Sequence, residues 1–187
     1  MPFLLCLSGC SFAPAPTAET DPQAARVQRL LDQEWGMFIC WSFASFLDDE
    51  WPKGVEDLSV FNPSGMDTDQ WARVAKEAGM GYMLFLAKCH DGFCLWDTNT
   101  TDWKVTKSPL GKDVLASLKK SCDKYGLKLA LYFSEGDETQ PHDKNAELKK
   151  AQLKELCTEY GPIEFFWMDH AAGDGGLNHI ETAAWVK

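Results

Sequence analysis

Short, mainly apolar runs recur along this chain, each closed by polar residues, and between them apolar positions fall at helical spacing. The clearest run is YMLFLA at 82–87, which meets Lys88, Cys89, His90 and Asp91 before Gly92 turns the chain. Similar runs lie at 37–41, ending in Ser42; at 127–133, broken only by Lys128 and followed by Ser134, Glu135 and Asp137; and at 163–168, broken only by Glu164 and followed by Asp169 and His170. Apolar runs without alternation predict strands covered on both faces, the parallel-sheet kind. Helices are predicted at 26–34, through Val27, Leu30 and Leu31, and at 67–78. In the second, Asp67 caps, Trp71, Val74, Ala75 and Ala78 share a face, and Gly79 ends it. A third helix is capped by Asp113, buries Val114, Leu115, Leu118 and Cys122, and closes at Gly126. The last spans 145–160, with Leu148, Leu153, Leu156 and Cys157 inward and Gly161-Pro162 as its stop.

Strand, loop and helix alternating in this way give the α/β class, either a barrel or a doubly wound sheet. No glycine-rich phosphate fingerprint follows the first strand, which removes the main dinucleotide hypothesis. Long polar and aromatic loops after the first three strands favour a (β/α)8 TIM-like barrel with its site at the strand C-termini. Only about four βα units are present, whereas a complete barrel takes about 250 residues. Residues 26–187 therefore read as the N-terminal half of a (β/α)8 catalytic domain, expected to be inactive or unfolded when expressed alone.

The tip of the second strand gathers a cation, a thiol, an imidazole and a carboxylate where such folds place ligands. An equally simple reading makes Lys88 and Asp91 a loop ion pair and His90 a core histidine.

Composition narrows the substrate. The apolar fraction of 45% supports a folded core, and the net charge of −10, without any Lys/Arg cluster, argues against nucleic acid. Trp35, Trp41, Trp51, Trp96, Trp103 and Trp167 lie near predicted strand ends, where indole faces suit sugar rings as well as plain packing. The cysteines at 6, 10, 40, 89, 94, 122 and 157 contain no CxxC pair, so neither a zinc cluster nor any cofactor is implied. A disulfide among the last five is open in an exported protein. Residues 1–16 have export-signal composition, and Leu7-Ser8-Gly9-Cys10 resembles a bacterial lipobox, although no Lys or Arg precedes the apolar run. Cys10 would then carry a lipid anchor to a bacterial membrane, residues 17–25 would be a tether, and the protein would be periplasmic or membrane-anchored.

Taken together, WGMFICWS, FNPSGMDTDQWARVAKEAGMGYMLFLAKCHDGFCLWDTNTTDWKV, GLKLALYFSEGD and YGPIEFFWMDH resemble the N-terminal half of α-L-fucosidases of glycoside hydrolase family 29. The resemblance implies a barrel that removes terminal α-L-fucose from glycans or glycoconjugates with retention of configuration. It makes Asp169, in WMD, the catalytic nucleophile, a role a strand-end carboxylate can fill by bonding to the anomeric carbon. His90 matches the second of two adjacent histidines that contact fucose hydroxyls, and Cys89 stands in place of the first. Cys40 likewise stands where many members have a sugar-binding histidine. A thiol is a poor donor and acceptor beside imidazole, so these hydroxyl contacts are altered. Glu50 and Trp51 resemble the pair holding the sugar's polar rim and flat face, and Tyr132 the aromatic that reaches toward the nucleophile. The acid/base comes from a later part of the family's barrel, and nothing in the motif assigns Glu135 or Asp137 that role. Similarity to one branch of the family points to branched 1,3/1,4-linked fucosides. Two other readings stay open: a non-catalytic sugar-binding relative, suggested by the two cysteines, and a metal-dependent hydrolase using His90, Asp91, His142 and Asp143.

Overall fold

The computed structural model describes residues 21–49, 52, 54–139 and 145–169. The chain divides into two units, residues 1–32 and 33–187. In the first, helix α1 (Pro22–Leu31) is capped by Asp21, whose side chain accepts the Gln23 amide at 3.0 Å, and Pro22 sits in the first turn where no amide is needed. It starts earlier than the apolar spacing alone suggests, so Pro22 to Ala25, expected in the tether, are helical. The leader and Cys10 lie outside the described residues.

The larger unit is built on four strands: β1 (Gly36–Ile39), β2 (Tyr82–Lys88), β3 (Lys128–Ser134) and β4 (Phe166–Asp169). All pairings are parallel and the order is β1-β2-β3-β4. A doubly wound sheet reverses its strand order at a switch point. These four strands contain no reversal, and the sheet curls. Flat strands about 4.8 Å apart would separate β1 from β4 by roughly 14 Å, yet Phe38 of β1 stacks on Trp167 of β4 with ring centroids 5.6 Å apart. Tyr132 of β3 lies 6.0 Å from Phe38 on the same concave side. The sheet is thus an open, curved α/β layer of the kind a barrel wall requires. It is not closed, and Phe38 and Trp167 stay 41% and 50% exposed.

The convex side carries α2 (Thr68–Glu77), α3 (Val114–Tyr125) and α4 (Asn145–Glu159). Asp67 and Asp113 cap the first two, accepting the Gln70 and Ala116 amides at 2.9 and 2.7 Å, and Gly126 ends α3 in the left-handed conformation. Two inward faces differ from the periodic reading. In α2 the buried residues are Thr68, Ala72 and Ala75, while Val74 and Ala78 are exposed; Trp71 packs edge-on against Trp41. In α4, Lys149 and Gln152 are buried beside Leu153 and Leu156, and Cys157 is exposed. That helix is turned toward polar partners as well as apolar ones.

One irregularity sorts the chemistry at the tip of β2. Leu86 pairs with Tyr132, but Lys88 pairs with the next residue, Phe133, so Ala87 is an extra residue in the ladder. Lys88 is thereby buried on the helix side with Phe133, its Nζ 4.5 Å from the ring centroid, and Cys89 is returned to the side of Tyr132.

Candidate active site

The concave tips of the strands bring together four residues singled out in the sequence. Asp169 ends β4, and its Oδ2 accepts a hydrogen bond from the Tyr132 hydroxyl. Burial, and then that bond, raise the Tyr132 hydroxyl well above its ordinary pKa, so it donates as a neutral phenol. Cys89 and Cys40 are close enough for their charges to act on Tyr132 as well. The Cys89 thiol is pushed up to about 12, chiefly by burial and then by Asp91, with Cys40 and Asp169 adding to the effect. Burial raises Cys40 too. Both are neutral thiols at pH 7. The five described cysteines are unpaired, so no disulfide joins them. Glu50, Trp51, His142, Asp143 and His170 lie outside the described residues.

His90 and Asp91 form the turn after β2. Both His90 ring nitrogens are buried, and its carbonyl accepts the Glu138 amide at 2.8 Å. Asp91 Oδ1 accepts the Phe93 amide at 2.9 Å, and its carbonyl accepts the Trp103 indole N–H at 3.0 Å. Burial first, then Asp137 and Glu138, push the Asp91 carboxyl up to about 6 against the pull of the Phe93 amide and, more weakly, of Lys88.

Lys88 makes no ordinary loop ion pair with Asp91. Its Nζ lies 3.1 Å from Asp137 Oδ2, with the two side chains 0% and 1% exposed. A second buried pair joins Lys149 Nζ to Glu135 Oε2 at 2.7 Å, and Asn145 Nδ2 donates to the Glu135 carbonyl at 2.9 Å. The turn after β3 is thus anchored twice from the helix side. On its other side the Glu135 amide donates to the Asp169 carbonyl at 2.8 Å. Glu135 and Asp137 are therefore committed to buried lysines rather than held ready for proton transfer. Gly92 has φ of +74°, and a Cβ there would fall 2.5 Å from Asp137 Oδ1, so only glycine lets the two turns meet.

Much of the stretch after Gly92 is architectural. Trp96 is fully buried, and its indole donates to Glu155 Oε2 at 3.0 Å. Thr98 Oγ1 donates to the same oxygen at 2.6 Å and the Asn99 amide to Oε1 at 2.9 Å. Glu155, which sequence reasoning passed over, thus anchors the loop after β2. Its position in a Lys/Glu-rich helix gave no signal, because only the folded loop supplies three donors to one carboxylate.

Beside the Asp169 cluster lies a cleft of about 420 Å³ between the loops that follow β1, β2 and β3. Its lining includes Phe43, Glu56, Asp91, Trp103 and Glu138, but not Asp169. The cleft thus meets the chain at Asp91, two residues past Cys89 of the cluster, rather than at Asp169 itself. Among the described residues no group of three or more His, Cys, Asp and Glu could hold a metal ion, and no helix is long and apolar enough to cross a membrane.

Comparison with known proteins gives one answer. Residues 48–185 match the α-L-fucosidase family. The chain is 38% identical over 146 residues to α-L-fucosidase 1 of Arabidopsis thaliana, covering 74% of this chain and 29% of that one. A glycoside hydrolase 29 family member from a rumen bacterium superposes with a TM-score of 0.71 at 40% identity, over 79% of this chain and 28% of its own. A Bacteroides thetaiotaomicron α-L-fucosidase of family 29, trapped as a covalent intermediate with 2-fluoro-fucosyl fluoride, superposes with a TM-score of 0.75 at 27% identity. That match covers 90% of this chain and 46% of the other. The chain spans about a third or less of the Arabidopsis and rumen relatives.

Proposed function

The chain belongs to the α-L-fucosidase family, and from that premise we propose that it carries the nucleophile half of a retaining exo-fucosidase site. Asp169 is the nucleophile. Its carboxylate bonds to the anomeric carbon of a terminal α-L-fucose as the glycosidic C–O bond breaks. The departing oxygen takes its proton from an acid/base outside the described residues. Water then attacks the glycosyl-enzyme, the same group removes its proton, and α-L-fucose leaves with its configuration retained. No cofactor enters either step.

The observation that carries this reading is the Tyr132–Asp169 hydrogen bond on the concave face at the strand tips. A neutral phenol fixes the carboxylate's orientation and lowers its basicity, favouring attack on carbon over protonation. The trapped intermediate of the Bacteroides relative supports the covalent step by likeness. The rest of a fucosylated oligosaccharide or glycoconjugate extends into the adjoining cleft, where the half-buried Trp103 offers a face to a second ring and Glu138 accepts hydroxyl donors. We further propose that the leader exports the protein, with Cys10 as its lipid anchor.

Cys40 and Cys89 in the cluster favour a second reading, a sugar-binding relative without turnover. One assay separates the two. Residues 33–187 replace the matching stretch of the rumen family 29 protein, and the chimera is offered 4-nitrophenyl α-L-fucoside. Hydrolysis with α-fucose as first product, and its loss by about 10³-fold or more in Asp169→Gly, supports the enzyme. A folded chimera that binds fucose without hydrolysing the glycoside establishes the alternative. A β-fucose first product overturns the retaining mechanism.

A further inference from the structure

The turn after β3 touches both halves of the proposed site through its backbone. At one end the Glu135 amide holds the Asp169 carbonyl at 2.8 Å; at the other the Glu138 amide holds the His90 carbonyl at the same distance. Between them each acidic side chain is tied to a lysine with essentially no exposure, Glu135 to Lys149 and Asp137 to Lys88. Asp137 Oδ1 also accepts the Thr139 amide at 3.0 Å and the Thr139 hydroxyl at 2.6 Å, which closes the turn on itself. Two buried ion pairs within three residues cost considerable desolvation, and hydrophobic replacements of similar volume are often as stable or more so. Stability alone is therefore a weak reason for both pairs, whereas holding two site residues at a fixed separation is a strong one.

We infer that Lys149–Glu135 and Lys88–Asp137 are two independent positioning devices, the first setting Asp169 and the second setting His90, with the β3 turn as their common bracket. The inference rests on the fucosidase reading, in which Asp169 attacks and His90 contacts the sugar. It separates the two ends by function. Loosening the Asp169 end misplaces the nucleophile in the transition state, and loosening the His90 end weakens contact with bound fucose.

The test uses the chimera described above, so an inactive parent counts against the fucosidase reading and an active parent isolates this one. Glu135→Gln and Lys149→Met are expected to lower kcat by on the order of tenfold or more, since misplacement by about 1 Å can cost 10²-fold. The Ki for free L-fucose should stay within about twofold. Asp137→Asn and Lys88→Met are expected to raise the L-fucose Ki by a similar factor with kcat little changed. Generalised destabilisation cannot produce opposite signatures. Where single variants leave an orphaned charge and fail to fold, Lys149→Met with Glu135→Leu, and Lys88→Met with Asp137→Leu, remove each pair without one. Double variants that fold with both constants unchanged, or pairs that move the same constant, overturn the inference. Double variants that do not fold overturn it as well, because the pairs then serve the fold.

Discussion

Replacing Asp91 by asparagine keeps a side-chain oxygen to accept the Phe93 amide, bonded at 2.9 Å in the parent, and removes the charge. In the folded protein burial first, then Asp137 and Glu138, raise this carboxyl from its ordinary 3.8 to about 6. Between those values the folded chain keeps a proton that the unfolded chain has released. Stability therefore falls as pH rises through the window and is flat above it. At about 1.36 kcal/mol per pH unit, the move from 3.8 to about 6 corresponds to about 3 kcal/mol withheld from the folded state at neutral pH. The substituted amide does not titrate. The gap between Asp91→Asn and the parent should be near zero at about pH 3.5, where both side chains are largely neutral, and about 3 kcal/mol in the variant's favour at about pH 7.5. Urea unfolding of the chimera at constant ionic strength, followed by circular dichroism at several pH values, measures this gap directly. A gap that does not change with pH, or a variant less stable than the parent at the higher pH, refutes the argument. Either result would mean that the charge is solvated or paired well enough to cancel its burial.

Gly92→Ala forces a side chain into the left-handed region and against Asp137, so strain of about 1–2 kcal/mol adds to disturbance of the Lys88–Asp137 pair. Urea unfolding should lose about 3 kcal/mol or more, and a loss under about 1 kcal/mol would mean that the two turns separate freely. If Cys89 stands in place of a sugar-contacting histidine, as the resemblance implies, Cys89→His restores a donor and acceptor, and one gained hydrogen bond of about 1–1.5 kcal/mol should tighten the Ki for L-fucose roughly tenfold. An unchanged Ki would remove Cys89 from the sugar's reach.

The fold was legible where a single physical signal dominated. Mainly apolar runs without alternation gave the parallel strands, and Asp67, Asp113 and Gly126 marked their helix ends because caps are local chemistry. Helix faces were less legible. Periodicity assumes an apolar partner, and α4 instead turns Lys149 toward Glu135 and Gln152 toward Thr100, whose hydroxyl lies 3.2 Å from Gln152 Nε2. The barrel reading, drawn from the long loops after the strands, anticipated the sequential order and the curl, which the fold expresses in the meeting of Phe38 and Trp167, residues far apart in the chain. At the site, the motif pointed to Asp169 and Tyr132, and the fold brings the two into hydrogen-bonding contact. Asp137, Glu135 and Glu155 were ambiguous acids in the sequence. What each does is fixed by donors arriving from other elements, which no local pattern encodes.

A strand keeps time in twos, and β2 misses a beat at Ala87. Up to Leu86 even-numbered residues look into the cavity; beyond it the odd ones do, which is how a lysine comes to stand among the helices and a thiol opposite Asp169. Anyone redesigning this rim by counting alternate positions from the middle of the strand would mutate the wrong set. Were Ala87 instead to take the regular place opposite Phe133, Lys88 would face the cavity and Cys89 the helices, and the buried Lys88–Asp137 pair would be lost.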